Sequence, residues 1–459
     1  MIARWATLLT FVIATAATAR SQHAPGAPLF SSDSVLHVRL EAPLQTLFTA
    51  SQKDPDHEVT GTLTYTDDVS GRAVVLSNVT FAVRGHTSTQ PSECSFPKLK
   101  AKFAGVDAVD TTIFRGMTSI KIGTHCGDRP DTELTPKGRV AHEHAPAREA
   151  LVYRLLGALG VASLQARSAE ISYVDGTQTF KRQAMFLEDT STAIARLGAD
   201  REIDKQHFAN ARESFAPAEA TRLAFAEALI GNFDWCVKWT ADDTYRCDAR
   251  QILWNVSALG RSSGKAIPLM YDFDIAGMVA GRHGWFPRVF DEGFAPSRPR
   301  AEIEVLSQVQ RTRSLFPRAE LDAARASFVD RKAAAYGVLD RAEVDPQGKT
   351  TIKAYMDAFF KAIETDHAFY RPVVTGQNVT AFADAARTRP VCAVTVPPGT
   401  LVVEADGSAD AGDRGQTAAM ARVRVLDVLW RWAMNRRCDA LRSEAVWIER
   451  SAIGTNYPQ

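Results

Sequence analysis

Two short acidic motifs hold the side chains best suited to chemistry in this sequence. The first, Asn232-Phe233-Asp234, follows an apolar helical stretch that breaks at Gly231. The second, Tyr271-Asp272-Phe273-Asp274, comes directly after the apolar run IPLM. Carboxylates at the exit of a buried strand cost desolvation energy unless they bind something, and a divalent cation with phosphate oxygens is a common partner. We therefore take these two motifs as the candidate reactive centre.

Phosphoryl transfer is the chemistry that these residue types fit. It needs one carboxylate to orient the nucleophile, a second on the metal and a lysine on the nucleotide phosphates. Asp234, Asp272 and Lys121, the last in the predicted strand SIKIG, supply these groups in that order. Plainer explanations stay open: Asp234 as a helix cap, Asp272 and Asp274 as surface residues, and Lys121 as a solvated strand lysine.

Composition excludes some classes of partner. The chain has 459 residues, of which 45% are hydrophobic, so it can bury a sizeable core and should fold as two or three domains. Lysine and arginine number 54 against 53 acidic residues. This balance creates no net field that would attract nucleic acid or an anionic membrane, so no nucleic-acid partner is expected.

The amino terminus reads as a secretory signal over residues 1–19. Arg4 forms a short basic region, WATLLTFVIA is the apolar core, and Ala17-Thr18-Ala19 is a small-x-small cleavage site. The apolar run is short for a bilayer span, which needs roughly 20 residues. We expect an exported protein, periplasmic or extracellular, with no membrane span after signal cleavage.

Six cysteines in an exported chain favour disulfides over a zinc site, because no C-x-x-C motif is present and the spacings are wide. Nearest-neighbour pairing is the simplest prediction, although fifteen pairings of six cysteines exist. It joins Cys94 to Cys126, Cys236 to Cys247, and Cys392 to Cys438. Three N-x-S/T sequons occur, at Asn78, Asn255 and Asn378.

The order of patterns along the chain predicts an α+β protein. Alternating and β-branched runs fill residues 35 to about 125, followed by a helix that Gly160 ends and a hairpin at Asp175-Gly176. Helical periodicity dominates from about 190. A small β domain with several tryptophans follows from about 388, and its ending EAVWIERSAIG weakly resembles bacterial SH3-like domains that bind cell-wall peptides.

Five stretches follow one another as in a group of exported bacterial proteins similar to the CotH spore-coat kinase family. The stretches are RGHTSTQPSECSFPKLKAKF, SIKIGTHC, the segment from REALVYRLL to MFLED, LIGNFDW and IPLMYDFDIAGMV. The resemblance as a whole spans roughly residues 29–300, about 60% of the chain. The resemblance implies a two-lobed, atypical protein-kinase-like fold that binds ATP with Mg²⁺ or Mn²⁺. The predicted divisions are a β-rich N-lobe over 29–190, a mostly helical C-lobe over 191–387 and a small disulfide-linked β domain over 388–459.

The resemblance also assigns roles to individual positions, with Asp274 added from the acidic motif itself. The predicted site residues are Arg84, Lys121, Glu149 and Glu188 for the nucleotide, Asp234 as the catalytic base, and Asp272 with Asp274 for the metal. Glu149 is expected to pair with Lys121, and Glu188 to lie beside the adenine.

One departure from the family pattern affects the metal site. Where relatives carry a His-Asn pair whose asparagine would bind metal, this chain has Arg250-Gln251, which leaves Asp248 or Gln251 as substitutes. Three functions stay open: ATP-dependent phosphoryl transfer to an unknown protein or small molecule, a non-catalytic kinase-like binding protein of the cell envelope, and a metal-dependent hydrolase using Asp272, Asp274 and His142 or His144.

Overall fold

The computed structural model describes most of the chain between Pro28 and Gly454. The described residues are 28–68, 70–107, 109–204, 211–239, 253–262, 264–281, 300–370, 373–374, 379–391, 396, 402–404, 419–425 and 445–454. The predicted signal segment, Asp248, Gln251, Cys247, Cys392 and Cys438 lie outside them. Within the described residues, no helix combines the length and the apolar character that a membrane crossing requires. The protein is a mixed α+β structure, as its sequence predicts.

Seven strands of the amino-terminal part close into a barrel in the order β1-β2-β3-β4-β5-β7-β6. Neighbouring strands are antiparallel except β1 and β6, which pair in parallel and complete the ring. Closure leaves no unpaired strand edge in this barrel. The strands are β1 Leu36–Glu41, β2 Glu58–Thr66, β3 Ala73–Val83, β4 Leu99–Lys102, β5 Ser119–Gly123, β6 Ala166–Asp175 and β7 Gln178–Leu187.

The barrel interior is filled by alternate side chains of its strands, as the period of two in the sequence requires. In β1, Leu36, Val38 and Leu40 are buried while the residues between them are exposed. The β6–β7 hairpin turns at Asp175-Gly176 as predicted, with Gly176 at a φ of 58°. A short helix, α1 (Leu44–Ser51), packs against β2 and β3.

Helix α2 (Ala145–Ala158) connects the barrel to the helical part of the molecule. It packs against β6 and β7 on one side and against a helix of the carboxy-terminal half on the other, so nearly all of its side chains are buried. Gly160 follows its end with a φ of 72°, a conformation that favours glycine, as the sequence predicts.

The second half is mostly helical around its own large core. Its helices are α3 Thr190–Arg196, α4 Ala211–Ser214, α5 Pro217–Ile230, α6 Gly277–Ala280, α7 Arg300–Leu315, α8 Arg318–Asp330, α9 Lys332–Arg341, α10 Pro346–Ile363 and α11 Asp366–Phe369. Short strands interrupt them: β8 Arg201–Ile203, β9 Cys236–Val237, β10 Leu253–Trp254, β11 Val256–Gly260 and β12 Ile267–Met270.

A third, small core belongs to the tail. It is built on strands β14 Val402–Glu404, β15 Met420–Val425, β16 Val446–Glu449 and β17 Ile453–Gly454. The short strand β13 (Val373–Val374) pairs with β17. Trp447 of β16 exchanges backbone hydrogen bonds with Phe382, whereas Trp430 and Trp432 lie outside the described residues. The resemblance of this domain to SH3-like folds stays a prediction.

Cys94 and Cys126 form a disulfide beside the barrel, with their Cα atoms 4.5 Å apart. Both residues are buried. Cys236 is disulfide-bonded as well, and its predicted partner Cys247 lies outside the described residues. The first bond fixes the loop after β3 to the end of β5.

His125, next to this disulfide, is expected to make the stability of the barrel depend on pH. Burial lowers the pKa of its imidazole from 6.5 to about 4, and its Nδ1 is buried without a hydrogen-bond partner among the described residues. As the pH drops from 6.5 toward 4, the unfolded chain therefore binds a proton at this imidazole and the folded chain does not. The free energy of unfolding falls across that pH range. We expect this group to cost about 3 kcal/mol across that window.

Urea unfolding at pH 7 and at pH 4.5 tests this expectation through His125→Phe, a change that keeps a ring against Phe96, 4.8 Å away in centroid distance. The variant should lose less stability between the two pH values than the wild-type protein. His367→Phe, at an exposed position, is the control and should behave as wild type. Equal losses in all three proteins would contradict the role of His125.

Candidate functional site

A cleft of about 450 Å³ lies where the barrel, α2 and the segment after β12 meet. Five residues that the sequence predicts for the site line it together, although up to 188 positions separate them. They are Arg84, Lys121, Glu149, Asp234 and Asp272. Two further predicted residues, Glu188 and Asp274, are not among the lining residues that the structure describes.

The break after α5 shapes the turn that carries Asp234. Gly231 ends the helix at a φ of 63°, and a Cβ there would lie only 2.3 Å from Cε1 of Tyr355. Asn232 is fully buried; its Nδ2 donates to Glu227 Oε2 at 2.9 Å, and its Oδ1 accepts from the backbone N–H of Asp234 at 2.9 Å. Asn232 therefore stabilises the turn through these two side-chain hydrogen bonds. Of the three residues of the motif, Asp234 alone lines the cleft.

Both carboxylate oxygens of Asp234 accept hydrogen bonds. Trp254 Nε1 donates to Oδ1 at 2.9 Å, and Asn255 Nδ2 donates to Oδ2 at 3.0 Å and to the backbone oxygen at 2.7 Å. Burial, together with the carboxylates of Asp272 and Asp274, raises the pKa of Asp234 to about 6, against the opposing effect of the Trp254 donor. The carboxylate is thus held in one orientation and made more basic than a surface aspartate.

Asn255 is a site residue that the sequence did not reveal. It lines the cleft at the start of β11, is buried, and adopts a φ of 50°. Its amide nitrogen is committed to Asp234, and no described residue donates a hydrogen bond to its Oδ1. In the sequence, Asn255 stands out only as part of a glycosylation sequon. Its Nδ2 is buried and hydrogen-bonded to Asp234, so this nitrogen is not accessible for glycosylation in the folded protein. Its separation of 21 positions from Asp234 hid it from any short-spacing motif.

Asp272 occupies a strained position at the exit of β12. Its φ of 67° is unusual for a non-glycine residue, and such strain is stored at functional sites more often than elsewhere. Its backbone N–H donates to Tyr153 Oη at 3.0 Å, and its Oδ1 accepts from Lys98 Nζ at 3.3 Å. About a third of the side chain is exposed to the cleft.

Asp274 is part of a buried ion network beneath the cleft. Its Oδ2 accepts from Lys98 Nζ at 2.8 Å and from Arg139 Nε at 2.7 Å. Arg139 in turn donates to Glu93 Oε2 at 3.1 Å, next to the disulfide. Burial would raise the pKa of Asp274, but the two cations outweigh it and hold that pKa well below its usual range. This carboxylate supports the site from below.

Lys98 is the second residue that the sequence did not reveal. In the segment KLKAKF, lysines alternate with apolar residues, which places Lys98 outside the barrel core. The segment that holds Asp272 and Asp274 covers the exterior at that point. Burial alone would lower the pKa of Lys98, whereas the carboxylates of Asp274 and Asp272 raise it. The lysine is therefore permanently charged at the floor of the cleft.

Arg84 and Lys121 bring positive charge to the opposite wall. Arg84 donates through Nε to Leu99 O at 3.1 Å, and its Nη2 is buried without a hydrogen-bond partner in the described part of the chain. Lys121 Nζ lies 3.4 Å from Thr190 Oγ1; burial and the nearby Arg84 lower its pKa to about 8. Both cations lack a carboxylate of their own at hydrogen-bond distance among the described residues, so the wall is suited to an anionic ligand.

Glu149 faces the same cations but does not form the predicted ion pair with Lys121. Burial raises its pKa to about 7, while Lys98 and Arg84 oppose the rise. Glu188 lies further away: it is fully buried, accepts from Arg196 Nη2 at 2.7 Å and from the backbone of Gln165 at 3.0 Å, and thereby ties β7 to α3.

The histidines considered for a hydrolytic metal site lie elsewhere. His142 and His144 contact each other with ring centroids 4.8 Å apart, and neither is among the described residues that line the cleft. Over the described part of the chain, no group of three or more histidine, cysteine, aspartate or glutamate side chains is arranged to hold a metal ion. A hydrolase of the predicted composition therefore gains no support.

Comparison with known proteins finds a distant structural likeness. No family model matches this chain, and no curated protein matches it. The solved structure of CtkA, a proinflammatory kinase of Helicobacter pylori, is similar with a TM-score of 0.26 and 11% identity, over 53% of this chain and 87% of that one. So low a score carries no argument about activity, and the geometry of the cleft is the better guide to function.

Proposed function

We propose that this protein is a kinase-like phosphotransferase that binds a nucleotide and a divalent cation in the cleft. The observation that carries the proposal is the pairing of opposite chemistries within about 450 Å³. Cations without a described carboxylate partner form one wall, and two oriented carboxylates with an amide form the other. Phosphoryl transfer needs both, because it is catalysed by positioning and by neutralising phosphate charge.

The phosphates would be held by the cationic wall. Arg84 has a buried Nη2 without a described partner, which is costly in the absence of an anion. Lys121 is a second donor, and the loop that follows Arg84 lines the same cleft with Gly85, Thr87 and Ser88. An arginine fork with a neighbouring hydroxyl loop is well matched to phosphate oxygens.

The cation would be held by oxygen ligands, as Mg²⁺ and Mn²⁺ prefer. Asp272 offers a partly exposed carboxylate, and Asn255 offers an amide oxygen with no described donor. Two protein ligands suffice for Mg²⁺ where phosphates and waters complete the shell. A bound cation and nucleotide would supply the transferable phosphoryl group and neutralise its charge.

Asp234 would act as the base toward the acceptor hydroxyl. Its orientation is fixed by Trp254 and Asn255, and a pKa of about 6 leaves it mostly ionised at neutral pH yet more basic than usual. Trp254 is 40% exposed, so its ring is available beside the carboxylate to an acceptor protein or small molecule.

A non-catalytic binding protein is the second candidate, and one contact favours it. Lys98 already neutralises Asp272 and Asp274, the carboxylates predicted for the metal. A lysine in that place can substitute for a cation and leave a cleft that binds anions without transferring them.

Thermal unfolding of the mature, oxidised protein with ATP and Mg²⁺ or Mn²⁺ tests the proposal. At a ligand concentration of 100 times Kd, binding should add about 2.7 kcal/mol of stability and raise Tm. Asp234→Asn separates the two candidates: the proposed enzyme keeps the Tm shift and loses phosphoryl transfer. If neither metal with ATP raises Tm, the proposed nucleotide site is wrong. If Tm rises but the wild-type protein shows no measurable phosphoryl transfer, the protein is the non-catalytic binding protein.

The proposal includes export. The amino-terminal signal pattern supports it, and so do disulfide-bonded cysteines, which persist in oxidising compartments. Contact of the carboxy-terminal domain with the cell wall belongs to the same proposal and rests on sequence resemblance alone.

A further inference from the structure

A second cavity, here called the rear cavity, lies beside the carboxy-terminal end of α2. Its volume is about 550 Å³, within the range of small-molecule sites, and it is lined by the end of α2, the connection to β6, and parts of α3, α5 and α9. Tyr153 and Leu164 line both the rear cavity and the cleft, so the two spaces share a wall. The proposed phosphoryl transfer makes no use of it.

Four arginines converge on the rear cavity from four separate segments of the chain. They are Arg154 of α2, Arg196 of α3, Arg222 of α5 and Arg261 of the loop after β11. Among the described residues that line it, only Asp33 and Glu219 carry carboxylates. Arg196 is paired with Glu188 at 2.7 Å, so the excess of positive charge comes from the other three arginines, which face two carboxylates.

The pairing of these arginines leaves capacity for a ligand. Arg154 bonds to Asp33 at 2.8 Å, but its Nε is buried without a hydrogen-bond partner within the described ranges. Arg222 approaches Glu219 only to 3.8 Å, and Arg261 makes no ion pair with a described residue. A buried donor without a partner, such as Nε of Arg154, is rare in folded proteins because it costs free energy. Arg222 is partly exposed and Arg261 is exposed, so these two contribute charge at the mouth of the cavity.

Much of the remaining lining is apolar, although Ser163 and Gln165 also line the cavity. Phe30, Val161, Leu197, Ile267 and Val338 face the same space as the arginines. A simple inorganic ion would leave these side chains in contact with water. An oxyanion attached to an apolar body satisfies both kinds of surface.

We propose that the rear cavity is a binding site for a small organic anion, whose phosphate, sulfonate or carboxylate group is held by Arg222, Arg261 and Arg154. The apolar part of the ligand packs against the hydrophobic lining. This site is independent of the nucleotide site, and it adjoins it through Tyr153, whose hydroxyl accepts from the backbone of Asp272.

Fluorescence titration with 1-anilinonaphthalene-8-sulfonate, an aromatic sulfonate, tests the proposal on the full mature protein. Wild type should bind the dye saturably at one site, and inorganic phosphate should displace it. The double change Arg222→Ala with Arg261→Ala should weaken binding at least about tenfold, because it removes two of the three arginines that hold the anion. Both side chains are at least partly exposed, so the variant should fold, and an unchanged Tm confirms it.

The matched control replaces Arg72 and Arg115 with Ala, two exposed arginines on the barrel that do not line the rear cavity. It should bind the dye as wild type does. Equal affinity in all three proteins, or failure of phosphate to compete, would overturn the proposal. The two sites are separable: Asp272→Asn should retain dye binding, and the rear-cavity variant should retain the nucleotide-dependent Tm shift if the proposed function is right.

Discussion

Asp272→Asn is expected to lower the affinity for Mg²⁺–ATP by at least about 100-fold. Mutation of a group that only hydrogen-bonds to a metal ligand already lowers metal affinity about 10- to 100-fold, and Asp272 is proposed as a ligand itself. Asparagine tolerates the positive φ at this position, so the backbone should keep its course. Lys98 retains Asp274 as its partner at 2.8 Å. Calorimetric titration with ATP and Mg²⁺ measures the loss.

The matched control is Asp330→Asn at the exposed end of α8, which should bind as wild type does. Without ligand, Asp272→Asn should unfold at nearly the wild-type temperature. Nucleotide binding that survives the change undiminished would mean that the metal is held elsewhere, and would contradict the role given to Asp272.

Asp274→Asn is expected to have the opposite signature: a loss of about 3–5 kcal/mol in the free energy of unfolding, even without ligand. The carboxylate lies between Lys98 and Arg139, and all three side chains are at most 10% exposed. Removing the anion leaves Lys98 with Asp272 and Arg139 with Glu93 as their remaining carboxylates, so both buried cations lose their shortest ionic contact. That loss is far more costly than breaking a surface pair. Urea unfolding at pH 7 measures the effect.

Glu133→Gln is the control, because Glu133 pairs with Arg129 at the surface and should contribute less than about 1 kcal/mol. The Asp274 contribution also depends on pH. Its folded pKa is lowered, so the stabilisation is complete above the unfolded pKa of about 3.9 and is lost as the pH falls below it. Wild type and variant should converge in acid. A loss below about 1 kcal/mol at pH 7 would show that the network is not a structural support.

Local sequence signals were sufficient for the turns that shape the site. Gly231, Gly160 and the Asp175-Gly176 turn each occur where the chain must take a positive φ, and that requirement is visible within a few residues. The same holds for the strand alternation around Lys121. These features depend on backbone sterics, which neighbouring residues decide.

The polar contacts at the floor of the cleft could not be predicted from local sequence signals. Lys98 meets Asp274 across 176 positions, and Asn255 meets Asp234 across 21, so neither contact has a characteristic spacing. Arg139 completes the network from a loop with no motif of its own. Such groups are recognised only once the barrel has closed and packing decides which polar side chains lose contact with water.

Arg148 of α2 joins two distant parts of the chain through ion pairs. Its guanidinium holds Asp131 and Asp345 at 2.7 Å each, and Asp345 is the N-cap of α10 in the helical half. One side chain thus clamps the loop before α2 to a long helix far along the chain. We expect the barrel and the helices to melt in a single calorimetric transition, because this contact couples them.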